Sequence, residues 1–208
     1  GAVGHVERFN PALQEMKRRL DSGFLGNVFA ISTTRVGPFP LRINGVGVIT
    51  DLAIHDIDIV QWLIGPFATL KSQLAHQIGT DREDLVTAVG RLADDTVVSM
   101  SVNWLTPSKR REVTVLGERG ALVADLLTSD LTYYSNSAIP VEWDEMARLK
   151  GVSEGDVTRY AIRKTEPLQL ELEGFRDAVL GRASAQIVTL DEGVEVMRVA
   201  AALADGGL

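Results

Sequence analysis

At 208 residues, 45% hydrophobic and 24% charged, the chain has ordinary globular composition and enough length for a sizeable core. Its net charge of −7 argues against a general nucleic-acid binder, which presents a basic face. No apolar run approaches the ~20 residues that span a bilayer, and no signal peptide is expected from the first residues; cysteine is absent, which excludes disulfides and thiolate metal sites and is compatible with a cytoplasmic setting.

Residues 3–9 read as a short strand. Asn10-Pro11 then opens a helix, with Asn10 as N-cap and Pro11 in the first turn, where a missing N–H costs nothing. Residues 27–35 alternate as a second strand, and a Pro- and Gly-rich connection brings Arg35 and Arg42 beside the next element. That element, GVGVITDLAIHDIDIVQWLIG from Gly45 to Gly65, reads as one amphipathic helix. Ala53, Ile57, Val60 and Ile64 form its apolar stripe, and Asp51, His55, Asp58 and Trp62 a narrow polar one.

After it the pattern has period two. Strands are predicted at 68–77, 85–92, 96–105, 112–116, 121–125 and 131–134, the second and third joined by a hairpin at 93–95. On the third, Val98, Met100, Val102 and Trp104 point one way and Ser99, Ser101 and Asn103 the other. One sheet face is therefore apolar, and the other carries small neutral side chains suited to solvent or to a second copy. Residues 135–166 read as an irregular excursion. A helix follows at 167–180 with Leu168, Leu172, Phe175 and Val179 inward. Thr189 to Glu192 is a capping box that starts the last helix, running through Val194, Met197 and Ala201. The sum is an α+β domain with an open, largely antiparallel mixed sheet. No glycine-rich phosphate loop is present, so a dinucleotide has no seat of the usual kind.

Asp51 and His55, four residues apart, can meet on one helix face. A carboxylate beside an imidazole fixes its tautomer, raises its pKa and yields a general base for an alcohol proton. The same spacing also suits a helix cap that pairs with the histidine for stability, and periodicity leaves both readings open. Asp58 extends the row, but with three histidines in the whole chain a metal site is not expected. Asp56 falls inside the apolar arc and needs a buried partner, so it reads as structural. Trp62 suits stacking on a sugar ring or simple packing. Arg35 and Arg42 offer forked donors to a phosphate or carboxylate. His5 and His76 read as ordinary hydrogen-bond partners on strands.

The helix segment resembles the substrate-domain signature of the Gfo/Idh/MocA oxidoreductases, as do GHVERFNPALQEMKRRLDSGFLGNV, RVGPFP and KTEPLQLELEGFRDAVLG. Within that family GHVERFNP together with RVGPFP looks closest to UDP-N-acetylglucosamine 3-dehydrogenase-like members. The resemblance implies that residues 1–208 are a single C-terminal substrate-binding and oligomerisation domain of the dihydrodipicolinate-reductase type. It implies an N-terminal Rossmann domain elsewhere that binds NAD or NADP, with none held by this chain. It further implies a sugar or nucleotide-sugar substrate, His55 as the proton acceptor and Asp51 as its orienting acid. Arg35, Arg42, Asp58 and Trp62 stand as candidate substrate contacts. Pairing of the open sheet face into a homo-oligomer is expected, and neither nucleic acid nor membrane is an expected partner. The other reading is a non-catalytic binding or dimerisation module.

Overall fold

The computed structural model describes residues 1–40, 45–79, 81–137, 154–182 and 187–208. One eight-stranded sheet organises them, in the order β2-β3-β4-β1-β5-β6-β7-β8. The strands are β1 (Val28–Pro38), β2 (Phe67–Ala75), β3 (Leu85–Leu92), β4 (Val97–Asn103), β5 (Leu105–Gly117), β6 (Gly120–Asp125), β7 (Asp130–Ser135) and β8 (Val157–Arg159). Only β1 and β4 run parallel; every other pairing is antiparallel. The helices are α1 (Pro11–Asp21), α2 (Ile54–Leu63), α3 (Pro167–Val179) and α4 (Leu190–Ala204). The expected α+β class and open mixed sheet are those of the structure. Among the described residues no helix is long and apolar enough to cross a membrane.

The apolar face predicted for β4 is the core face: Val98, Met100, Val102 and Trp104 are all buried, and α1, α2 and α4 cover this side of the sheet. On the opposite face, register places Ser32 between Ser99 and Thr114, and Thr34 between Ser101 and Glu112. Val89 and Val97 stand exposed on the flanking strands. Asn103 leaves this row. It is buried, and its Oδ1 accepts from the Leu105 and Thr106 backbone N–H groups, turning the chain from β4 into β5.

Both local capping signals act as read. Asn10 Oδ1 accepts from Ala12 N–H at 3.1 Å, and its amide also donates to Leu126 O at 3.0 Å. Thr189 and Glu192 form the reciprocal box at the start of α4.

Three expectations change. Residues 6–9 form a 3-10 turn, not a strand, and Val3 makes only an isolated bridge to Val188. Adjacent Glu7 and Arg8 are both buried, and a turn lets neighbouring side chains reach partners on different elements. The helix of 45–65 is two pieces, a π turn at Ile49–Ala53 and then α2, and it is buried on nearly every side. On α3 the apolar stripe is real but faces outward, with Leu172 61% and Val179 69% exposed. On α4 the inward side chains are Val196, Val199, Ala200 and Leu203, while Val194 and Met197 are exposed. Gly193 explains that choice: a Cβ there would lie 2.5 Å from Val3, so only the face containing the glycine can approach so closely. Within the stretch predicted as an excursion, β8 pairs with β7; residues 138–153 lie outside the described ones.

Candidate active site

Two buried charge networks fix the end of the sheet where β1 meets α2. In the first, Arg8 grips both oxygens of Asp58, with contacts of 2.6 to 3.1 Å, and reaches Glu192 at 2.8 Å. It joins the 3-10 turn to α2 and to the capping box of α4. In the second, Arg35 donates from Nε to Asp56 at 2.8 Å and from Nη1 to Glu7 at 2.8 Å. Arg111 of β5 shares Glu7 at 3.3 Å. The requirement that Asp56 find a buried partner is thus met by Arg35, a residue on β1 whose side chain is only 2% exposed.

His55 lies between these networks. Its ring meets that of His5 edge to face, with centroids 5.8 Å apart. Neither Nδ1 has a hydrogen-bond partner among the described residues. Burial and the neighbouring Arg35 push the His55 pKa from 6.5 down to about 4, with Glu7 alone raising it against His5 and Arg111. The imidazole is therefore neutral at physiological pH. Burial lowers His5 as well.

This departs from the expected acid–imidazole couple. Asp51 belongs to the π turn and His55 to α2, and no hydrogen bond joins them among the described residues. Asp51 instead faces a cavity of about 320 Å³ with Arg35, Trp104, Lys109 and Arg111.

The remaining candidates separate. Arg35 is a strand residue locked in an ion-pair network, not a free arginine on a loop. Arg42 lies outside the described residues. Asp58 is fully buried and held by Arg8, so it does not stand on a solvent-facing wall. Trp62 sits 6.0 Å beneath the Arg8 guanidinium and borders a different cavity, of about 830 Å³, shared with Arg18 and Tyr160. His76 is exposed beyond the end of β2. The sequence reading missed Glu7, Arg8, Lys109 and Arg111. A charged pair flanked by apolar residues in HVERF was the available signal for the first two.

An imidazole on α2 and a buried arginine on β1 thus lie at one end of the open mixed sheet of an α+β domain. The chain belongs to the Gfo/Idh/MocA family: residues 13–123 match the family model described as the GFO/IDH/MocA C-terminal domain. It is 27% identical over 201 residues to UDP-N-acetylglucosamine 3-dehydrogenase of Acidithiobacillus ferrooxidans, covering 97% of this chain and 59% of that protein. It is 36% identical over 134 residues to the myo-inositol dehydrogenase Hyg17 of Streptomyces leeuwenhoekii, covering 58% of this chain and 40% of that one. A levoglucosan dehydrogenase solved with NADH shares the fold, with TM-score 0.76 and 17% identity over 98% of this chain and 62% of its own. The chain thus spans about three fifths of the length of the first of these relatives.

Two outcomes follow from the charges. Asp58→Ala strands a buried guanidinium and should lower stability by ~3–5 kcal/mol, whereas Arg8→Met with Asp58→Leu should recover most of that, measured by urea unfolding. The pH dependence has a definite sign. The unfolded chain binds a proton at His55 near pH 6.5 that the native state refuses until about 4. Native stability should therefore fall as pH drops through that window, and His55→Asn should flatten the fall in melting temperature relative to the parent.

Proposed function

We propose that this chain is the substrate-binding half of an oxidoreductase that moves a hydride between NAD or NADP and a hydroxyl-bearing carbon of a sugar or nucleotide sugar. The observation carrying this reading is His55, a largely buried imidazole kept neutral by its surroundings and lying in the field of Arg35 and Arg111, which line the cavity that Asp51 faces. A neutral imidazole is competent to accept a proton. As hydride departs from the carbon, the hydroxyl proton passes to a ring nitrogen of His55. Asp51, unbonded to His55, accepts a hydrogen bond from a neighbouring substrate hydroxyl.

The residues of this chain do not fit the dinucleotide itself. The start of the π turn, where helical N–H groups would attract a phosphate, already holds a carboxylate: Glu83 Oε1 accepts from Ile49 N–H at 3.1 Å. A separate cofactor domain binds NAD(P), and bound there the cofactor supplies the hydride acceptor. Without that domain the chain is inactive. The outward stripe of α3, with Leu172 and Phe175, is the seat of that domain, and the Ser- and Thr-lined sheet face pairs with a second copy.

In the two-domain enzyme, His55→Asn should cut turnover with its sugar by ~10²–10⁴ while changing KM little. Turnover close to the parent's would refute the proton-acceptor role. Sedimentation separates the two surfaces. Val89→Lys on the sheet face should yield monomers, while Leu172→Glu should keep the oligomer but abolish recruitment of a cofactor domain supplied in trans. A parent chain that is monomeric at high concentration would count against the paired sheet.

A further inference from the structure

The cavity beside Asp51 has a composition that the proposed proton transfer does not require. Its wall carries three cations, Arg35, Lys109 and Arg111, against the single carboxylate of Asp51. Arg35 is matched by Glu7 and Asp56, and Arg111 has only a share of Glu7, at 3.3 Å. Lys109 has no ion-pair partner among the described residues, and its side chain lies along Gly37, where a Cβ would stand 3.6 Å from Lys109 Cγ. Burial, and after it the adjacent Arg35, weaken the hold of Arg111 on its proton, against Glu7, Asp56 and Asp51, which strengthen it.

A second observation concerns hydrogen bonding. Two buried donors on this wall, Arg35 Nη2 and Trp104 Nε1, have no partner among the described residues. An unmade hydrogen bond from a buried donor costs ~1–3 kcal/mol, and native structures leave few of them. Two at one small cavity, behind two more accessible cations, mark a place where an acceptor-rich group is missing. Phe39 packs edge to face on Trp104 with centroids 5.5 Å apart, giving the cavity one flat apolar side. About 320 Å³ suffices for a phosphate and part of the group it carries.

We propose that this cavity is an anion subsite that takes a phosphate group borne by the substrate, which makes the substrate a phosphorylated or nucleotide-linked sugar rather than a neutral polyol. The inference rests on the substrate-domain reading above and narrows it. Lys109 and Arg111 draw the anion in and bond its outer oxygens. The Arg35 guanidinium and the Trp104 indole N–H donate to the inner ones, after a small adjustment that exposes them. The sugar then extends past Asp51 toward His55, which lies in the field of the same two arginines.

The test needs neither cofactor nor turnover. Trp104 gives an indole N–H resonance in an isotope-labelled sample of this chain, assigned with Trp104→Phe. Glucose-1-phosphate should move that resonance saturably, and glucose or myo-inositol at equal concentration should leave it in place. Lys109→Glu, at an exposed position outside the core, should weaken the phosphate ester about tenfold, as loss of one charge-assisted bond implies. An equal response to glucose and to its phosphate overturns the subsite. So does a Trp104 resonance indifferent to glucose-1-phosphate and to UDP-sugars, or a response that Lys109→Glu does not change. The broader reading fails separately: a two-domain enzyme that oxidised no sugar would refute it while leaving a phosphate response at Trp104 intact.

Discussion

Glu7 and Arg8 are neighbours of opposite charge, both buried, and each is satisfied by a different part of the molecule. Glu7 takes Arg35 from β1 and Arg111 from β5; Arg8 takes Asp58 from α2 and Glu192 from α4. Burying these ions removes them from water at a cost that only good geometry offsets, so the network tolerates little slippage. If α2 rotated by one residue, Asp56 and Asp58 would leave their arginines, and two buried guanidiniums would each keep only one carboxylate, Glu7 for Arg35 and Glu192 for Arg8. The networks therefore specify the placement of α2, and with it the position of His55, more than they add net stability. The same charges set the field at His55. A residue that holds the fold in register is also the one that tunes the site.

Much of the architecture was legible because it follows from period and from local capping chemistry. Alternation gave β3 and β4 nearly to the residue, since their core face is apolar while the open face carries Thr87, Val89 and Arg91 on β3 and Ser99 and Ser101 on β4. Asn10 and Thr189 act through backbone groups within a few residues, so their sequence neighbourhood contains the whole interaction. Asp56 was readable as a structural acid because its place in an apolar arc demands a partner, although only the fold names Arg35. The unreadable features were those decided by distant contacts. Periodicity reveals that α3 has an apolar stripe but not what covers it. α4 has two apolar stripes, and Val3 against Gly193 chooses between them. Asp58 looks like a surface acid until Arg8, fifty positions earlier, is brought beside it.

The π turn is the least legible feature and the most consequential for the site. A regular helix through Ile49 to Leu63 would stack Asp51 on His55 and make the couple that the spacing suggests. In the structure Asp51 lines the cavity with Arg35 and Arg111, while His55 lies in a buried, cationic environment. On the proposed reading, acid and imidazole would face different parts of one ligand instead of each other. This division of labour suits a substrate with several hydroxyls, where one must be deprotonated and its neighbours held. Burial, and after it Arg35, leave His55 without the raised pKa that the spacing implies.

On the proposed reading, that lowered pKa poses a problem for catalysis which the anion subsite would resolve. A base with a pKa of about 4 is neutral at physiological pH but a poor proton acceptor. Burial is the largest cause of the depression, and Arg35, His5 and Arg111 add to it while Glu7 opposes it. A phosphate seated among Arg35, Lys109 and Arg111 would offset two of the charges acting on His55 without hydrating the ring. The imidazolium that forms on proton transfer would then be less penalised, and basicity would rise only once the anionic substrate had bound. A neutral polyol in the same place would leave both arginines uncompensated and His55 a weak base. On the proposed reading, discrimination between acidic and neutral sugars would thus lie in the proton transfer as well as in affinity, through a field set by the ion pairs that hold the fold together.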